Sequence, residues 1–150
     1  MNGIDYLQRA IDLSKKGIYP YGAVVVLDGE IIGEAFSGDG EANDPTAHAE
    51  TLAIRRACKK IGSGNILGAT LYSSCEPCFM CFGTIWWANI SNIVYATSIE
   101  ESNGILDTDI NINIEELNSK TGNKVKIKGG QLAEKALKVM KDWENNNSNN

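Results

Sequence analysis

The chain has 150 residues, 43% of them hydrophobic and 22% charged, the ordinary balance of a soluble globular protein and a length that fits one compact domain over residues 1–150. No apolar run approaches the roughly 18–20 residues that span a bilayer. The start, Met1-Asn2-Gly3-Ile4-Asp5, carries neither a signal-peptide pattern nor a glycine at position two for myristoylation, so membrane partners are excluded and a cytosolic location is expected. A net charge of −5 disfavours a nucleic-acid partner and leaves a small neutral substrate open. Basic clusters at Arg55, Arg56, Lys59, Lys60 and at Lys124, Lys126, Lys128 read as solvated faces.

In chain order, Ile4, Leu7, Ile11 and Ile18 recur at helical spacing and predict an amphipathic helix over residues 3–17. Ala23–Leu27 and Glu30–Ala35 flank Asp28-Gly29, a strong two-residue hairpin signal. A Gly-rich loop follows over 37–43. Asp44 as cap and Pro45 at the first helical position predict a helix to Ile61. Thr70–Ser73 reads as a strand, Pro77 as the start of a helix through Trp87, and Asn92–Thr97 as another strand. Residues 98–121 look polar and irregular. Val125 and Ile127 suggest a last strand, and Leu132, Ala136, Val139, Met140 and Trp143 a final helix. The Asn-rich tail 144–150 is expected to be disordered. Helices alternating with strands after a hairpin indicate an α/β domain with a mixed sheet flanked by helices. Ile85, Trp86 and Trp87 read as core or as a subunit interface.

Chemistry concentrates in two segments, Asp44-Pro45-Thr46-Ala47-His48-Ala49-Glu50 and Cys75-Glu76-Pro77-Cys78-Phe79-Met80-Cys81. Three thiols within seven residues, in a reducing compartment, point to metal binding or redox chemistry rather than disulfides. Cys58 stands apart and reads as a small buried hydrophobe. Cys78 and Cys81, three apart, share one face of a first helical turn, where the positive helix end favours thiolates. With His48, the single histidine, they make a three-ligand zinc site whose fourth position is left to water or hydroxide. Zinc would lower the pKa of that water from about 15.7 to about 7. Hydrolysis by such a water also needs a proton carrier, for which Glu50 is the candidate. On a regular helix Glu50 would point about 200° away from His48, so spacing alone does not aim it. A closed structural site with Cys75 as fourth ligand, or part of an iron–sulfur site, is the competing reading; it leaves Glu50 without a purpose.

The H-x-E and P-C-x-x-C pair is the general signature of zinc nucleobase deaminases. Asn43–Glu50 and Ser74–Gly83, with Pro20-Tyr21-Gly22-Ala23-Val24 ahead of the hairpin, closely resemble the bacterial guanine deaminases of the cytidine deaminase superfamily, over roughly residues 4–110. The resemblance implies a three-layer cytidine deaminase-like fold with a central five-stranded sheet. It also implies one zinc per subunit, Glu50 as proton shuttle, and a homodimer whose C-terminal segment can be exchanged. It implies a small nucleobase as substrate, guanine first: Cys75 is typical of guanine deaminases, and Gly104-Ile105-Leu106-Asp107 is similar to the segment whose aspartate contacts the purine. As a plain loop residue Asp107 would merely turn the chain. Tyr21 and Phe79 are candidates to line the pocket. The family's base-binding asparagine, eleven residues before the zinc histidine, is replaced by Ser37, and its C-terminal tyrosine by the Asn-rich tail, with Trp143 the last aromatic. Cytosine, another aminated ring, a tRNA adenosine, or a non-catalytic zinc-stabilised module remain as alternatives.

Overall fold

The computed structural model describes residues 1–41 and 43–148; Ala42, in the expected loop, and Asn149–Asn150, in the expected tail, lie outside the described residues. Helix α1 (Gly3–Ser14) starts on a capping box: Asn2 accepts from the amides of Ile4 and Asp5 while Asp5 accepts from the amide of Asn2. It buries Tyr6, Leu7, Ala10, Ile11 and Leu13. The helix ends three residues short of the expected Gly17. Ile18 turns away to donate its amide to the Ser37 carbonyl and stays exposed, so it belongs to no helical face.

Strands β1 (Gly22–Leu27) and β2 (Glu30–Phe36) form the hairpin read from Asp28-Gly29. Both turn residues take positive φ, 50° and 77°, as a two-residue turn matched to strand twist requires. Strands β3 (Thr70–Cys75), β4 (Asn92–Thr97) and β5 (Lys126–Gly129) complete a five-stranded sheet in the order β2-β1-β3-β4-β5. β1 runs antiparallel to β2 and β3, whereas β3, β4 and β5 are parallel. The sheet is therefore mixed, as expected.

Side chains alternate between two packed faces. Ala23, Val25, Leu71 and Ile93 meet helices α2 (Ala49–Ile61), α3 (Phe79–Trp87) and α5 (Ile114–Lys120). On the other face Val24, Val26 and Ala96 meet α1 and helix α6 (Ala133–Asn147). Two glycines let helices approach the hairpin closely. A Cβ on Gly33 would sit 2.2 Å from the Ala53 carbonyl of α2, and one on Gly22 2.1 Å from the Ala10 carbonyl of α1.

Four further expectations are corrected. The helix predicted from Pro45 begins at Ala49, because Asp44 accepts from both the amide and hydroxyl of Thr46 and folds 44–47 into a turn. The helix predicted from Pro77 begins at Phe79, with Cys78 as its cap. Residues 98–121 are not irregular throughout. They hold helix α4 (Ile99–Asn103), on a Ser98–Glu101 capping box, and α5, capped by Asn113 accepting from Glu116. Residues 144–147 are the last turn of α6 rather than tail, held by the Ser148 amide on the Glu144 carbonyl and by Asn147 on the Trp143 carbonyl. α6 packs on its own chain, Ala136 against Leu7, Ile11 and Ala96. Of the tryptophans, Trp86 is half-buried and donates to the Thr121 carbonyl, while Trp87 is 77% exposed and is no part of the core. No helix among the described residues is long and apolar enough to cross a membrane.

Candidate active site

The carboxyl ends of the parallel strands β3 and β4 lie at one edge of the sheet, the side on which ligands bind in open α/β sheets. β3 delivers Cys75 and then Glu76, Pro77 and Cys78 to this edge, and α2 starts beside it.

His48 is the N-cap of α2, with extended backbone (φ −72°, ψ 152°), and its side chain caps nothing. Its ring is free for other work. Cys78 caps α3 in the same conformation (φ −72°, ψ 173°), and Cys81 lies one turn in. His48 Nδ1 is 3.7 Å from Cys78 Sγ and 3.6 Å from Cys81 Sγ, and the three donor atoms lie within 4.8 Å of one another. A tetrahedral zinc with bonds of about 2.05 Å to nitrogen and 2.3 Å to sulfur has N···S edges of about 3.6 Å. The donor set and its spacing therefore fit zinc. The Cys78 thiol is pulled well below the ordinary range, first by its bond with Cys81 and then by the His48 ring. His48 is raised through its bond with Cys78, and Cys81 is pushed up by the same Cys78 partner and by burial. Thr51 Oγ1, 3.4 Å from Cys81 Sγ, steadies the buried sulfur.

Glu50 sits in the first turn of α2 and is 5% exposed. Because His48 is an extended cap rather than a helical residue, the 200° separation of a regular helix does not apply, and the two side chains converge. Glu50 Oε1 accepts from Ser73 Oγ of β3 at 2.9 Å, and Oε2 accepts from the Cys81 thiol at 3.5 Å. Burial, then the negative charge at Cys78, raises the pKa of its carboxyl, against the bond from Ser73.

These groups open into a cavity of about 510 Å³, within the size range of small-molecule sites. Tyr21 and Asp107 line it with His48, Glu50 and Cys78. Ser37 and Phe79, expected at the substrate, do not. Ser37 is buried behind the wall, its amide donating to the Tyr21 carbonyl, and Phe79 is 57% exposed on α3. Cys75 lines the cavity but stands outside the metal-holding trio, its thiol donating to Ser102 Oγ at 3.7 Å, which argues against a closed four-ligand site.

Several functional neighbours escape sequence reasoning. Ser73 and Thr51 are ordinary strand and helix residues until the fold brings them to Glu50 and Cys81. Glu76 lies inside the cysteine motif, and its role is spatial. One oxygen accepts the amide of Ile99 at 3.2 Å and the other that of Ile114 at 2.9 Å, so a single buried carboxylate holds the starts of α4 and α5. The segment between them carries Ile105, Leu106, Asp107, Thr108 and Ile110 into the cavity wall. Tyr19, from the segment between α1 and β1, and Trp143 and Glu144, from the last turns of α6, also line the cavity.

Comparison with known proteins agrees with this arrangement. The family model described as the cytidine and deoxycytidylate deaminase zinc-binding region matches residues 3–97. A guanine deaminase of Bacillus subtilis is 46% identical over 101 residues, covering 64% of this chain and 65% of that protein, just under two thirds of its length. A tRNA-specific adenosine deaminase of Streptococcus pyogenes serotype M1 is 32% identical over 142 residues, 92% of this chain and 81% of that protein. A solved structure from work on A-to-I editing by tRNA:A34 deaminases superposes with a TM-score of 0.77 at 27% identity, covering 91% of this chain and 99% of that one. With the signature matched from the first helix through β4, this chain belongs to the cytidine and deoxycytidylate deaminase zinc-binding family.

Proposed function

We propose that the chain is a zinc-dependent hydrolytic deaminase of a free nucleobase, guanine first, with His48, Cys78 and Cys81 as ligands and Glu50 as proton carrier. The observation that carries the reading is the convergence of Glu50 on the trio while its Oε1 is pinned by Ser73. Zinc, when bound, supplies an activated water at neutral pH. Once Cys81 serves as a thiolate, its proton no longer occupies Glu50 Oε2. That oxygen is then free to carry two protons in turn, one from the attacking water to the ring nitrogen and one from the added hydroxyl to the departing amino group, while Ser73 keeps Oε1 fixed. Asp107 and Tyr21 are placed to contact the substrate.

Guanine is favoured by the likeness to the Bacillus subtilis guanine deaminase and by Cys75 in Ser-Cys-Glu-Pro-Cys. The longer match to a tRNA-specific adenosine deaminase supports a second reading, deamination of an RNA adenosine. Against it, no Lys or Arg among the described residues lines the cavity, although phosphate contacts are the main source of nucleic-acid affinity. A homodimer is proposed from the same family, with Phe79 and Trp87, 57% and 77% exposed on α3, as apolar surface for a partner copy. Ammonia release by the zinc-loaded protein over guanine, cytosine, adenine and an anticodon stem-loop RNA tests the choice. Turnover of guanine above the others is expected; release from the RNA alone would establish the second reading.

A further inference from the structure

Trp143 and Glu144 enter the cavity together, at the end of a helix that the zinc motif does not include. Trp143 is fixed from two sides. Its Nε1 donates to the Ile18 carbonyl at 3.0 Å, and its ring lies 5.6 Å from that of Tyr19, tilted by 39°. The pair forms an aromatic wall of the kind against which a flat heterocycle packs. Glu144, the next residue, is half-buried in the same wall.

Four carboxylates line this cavity, and their partners differ. Glu50 accepts from Ser73 and Cys81, Glu76 from the amides of Ile99 and Ile114, and Asp107 from the amide of Asp109. The Glu144 carboxylate has no hydrogen-bond or ion-pair partner among the described residues. Four acids without a Lys or Arg make the cavity hostile to a phosphate group and receptive to N–H donors. Glu50, bonded to Cys81 of the metal trio, is 5% exposed, whereas Glu144 lies on a different element, has no hydrogen bond to the trio and is half-buried.

We infer that Glu144 is a specificity-determining residue that accepts the ring N–H a free base carries at its glycosidic nitrogen, while Tyr19 and Trp143 together form the wall against which the ring packs. Attachment of a sugar replaces that N–H, leaves the carboxylate unpaired and, in a nucleotide, brings a phosphate into an acidic cavity. The site is thereby confined to free bases. This inference rests on the deaminase reading above.

The test compares wild type with Glu144→Ala and Glu144→Gln, all zinc-loaded, on three compounds. These are the free base turned over fastest, its analogue methylated at the glycosidic nitrogen, and its nucleoside monophosphate. Wild type should prefer the free base over the methylated analogue by at least about tenfold in kcat/KM, the scale of a lost hydrogen bond to a charged group. In Glu144→Ala the KM for the free base should rise about tenfold with kcat little changed, and the preference should collapse. Glu144→Gln, which keeps an acceptor oxygen, should restore part of it. A purely structural role for α6 would change all three substrates in parallel. An unchanged preference in Glu144→Ala, or wild-type turnover of the monophosphate equal to that of the base, would overturn the inference while leaving the deaminase reading intact. A wild type that turns over no free base removes both.

Discussion

Ser73→Ala isolates the contact that aims the proposed proton carrier. Ser73 is completely buried on β3, and its hydroxyl donates to Glu50 Oε1 at 2.9 Å. Removing it leaves a buried carboxylate oxygen without its partner and frees the side chain to rotate. A hydrogen bond to a charged group contributes about 1.5–3 kcal/mol, which at about 1.4 kcal/mol per decade is a loss of about 10- to 150-fold. Ser73 does not itself line the cavity, so KM should move little. The loss should fall on kcat, with zinc content unchanged, because no bond from Ser73 reaches the ligand trio. Steady-state ammonia release, with zinc measured by atomic emission on the same sample, separates these effects. A kcat within about threefold of wild type would refute the aiming role, since that is below the smallest loss such a bond implies. Loss of zinc would refute it differently, by showing that Ser73 acts on the metal site.

Three other substitutions and treatments probe the frame around this centre. Gly33→Ala places a methyl 2.2 Å from the Ala53 carbonyl and must displace α2, which carries His48 and Glu50. A cost of about 2–3 kcal/mol is expected, lowering Tm by about 4–12 °C in calorimetry, and an unchanged Tm would contradict the close packing. Glu76→Gln turns an amide donor toward one of the two helix-start amides, so residues 99–114 should exchange hydrogen faster and the KM should rise with zinc retained; unaltered exchange would remove the stapling role. Cys75 is 5% exposed, and burial raises its thiol to about 12, so a brief alkylation pulse at neutral pH should leave it unmodified even after chelation exposes Cys78. Mass mapping that finds Cys75 labelled as fast as Cys78 would show the site to be more open than described.

Much of the fold is legible where local rules are strong. Asp28-Gly29 specifies a turn with two positive φ values, and the hairpin follows, its register shifting by one residue between Val26 and Val25. The metal trio is legible from residue type, since one histidine and two cysteines three apart leave few other uses. Glu50 is legible only by resemblance, because a regular helix is assumed where the chain places an extended cap at His48. The prolines mislead in the same way. Pro45 and Pro77 start turns that present His48 and Cys78 as caps, four and two residues later, respectively, than the helix rule suggests. Helices α4 and α5 carry their signals in Ser98-x-x-Glu101 and Asn113-x-x-Glu116, hidden by the polar composition around them. What Ser73, Glu76 and Glu144 do is tertiary. Each acts on residues at least 23 positions away or lines a wall that no local pattern announces.

The most direct test of the account is Glu50→Gln, measured for zinc and for ammonia release on the same preparation. The amide can still accept from Ser73 and is nearly the same shape, so one zinc per chain and the native fold should be retained. Without an ionisable oxygen, turnover of the free base should fall by at least about 100-fold, the lower end of general acid–base contributions. A zinc-replete Glu50→Gln protein that releases ammonia at the wild-type rate would contradict the central claim.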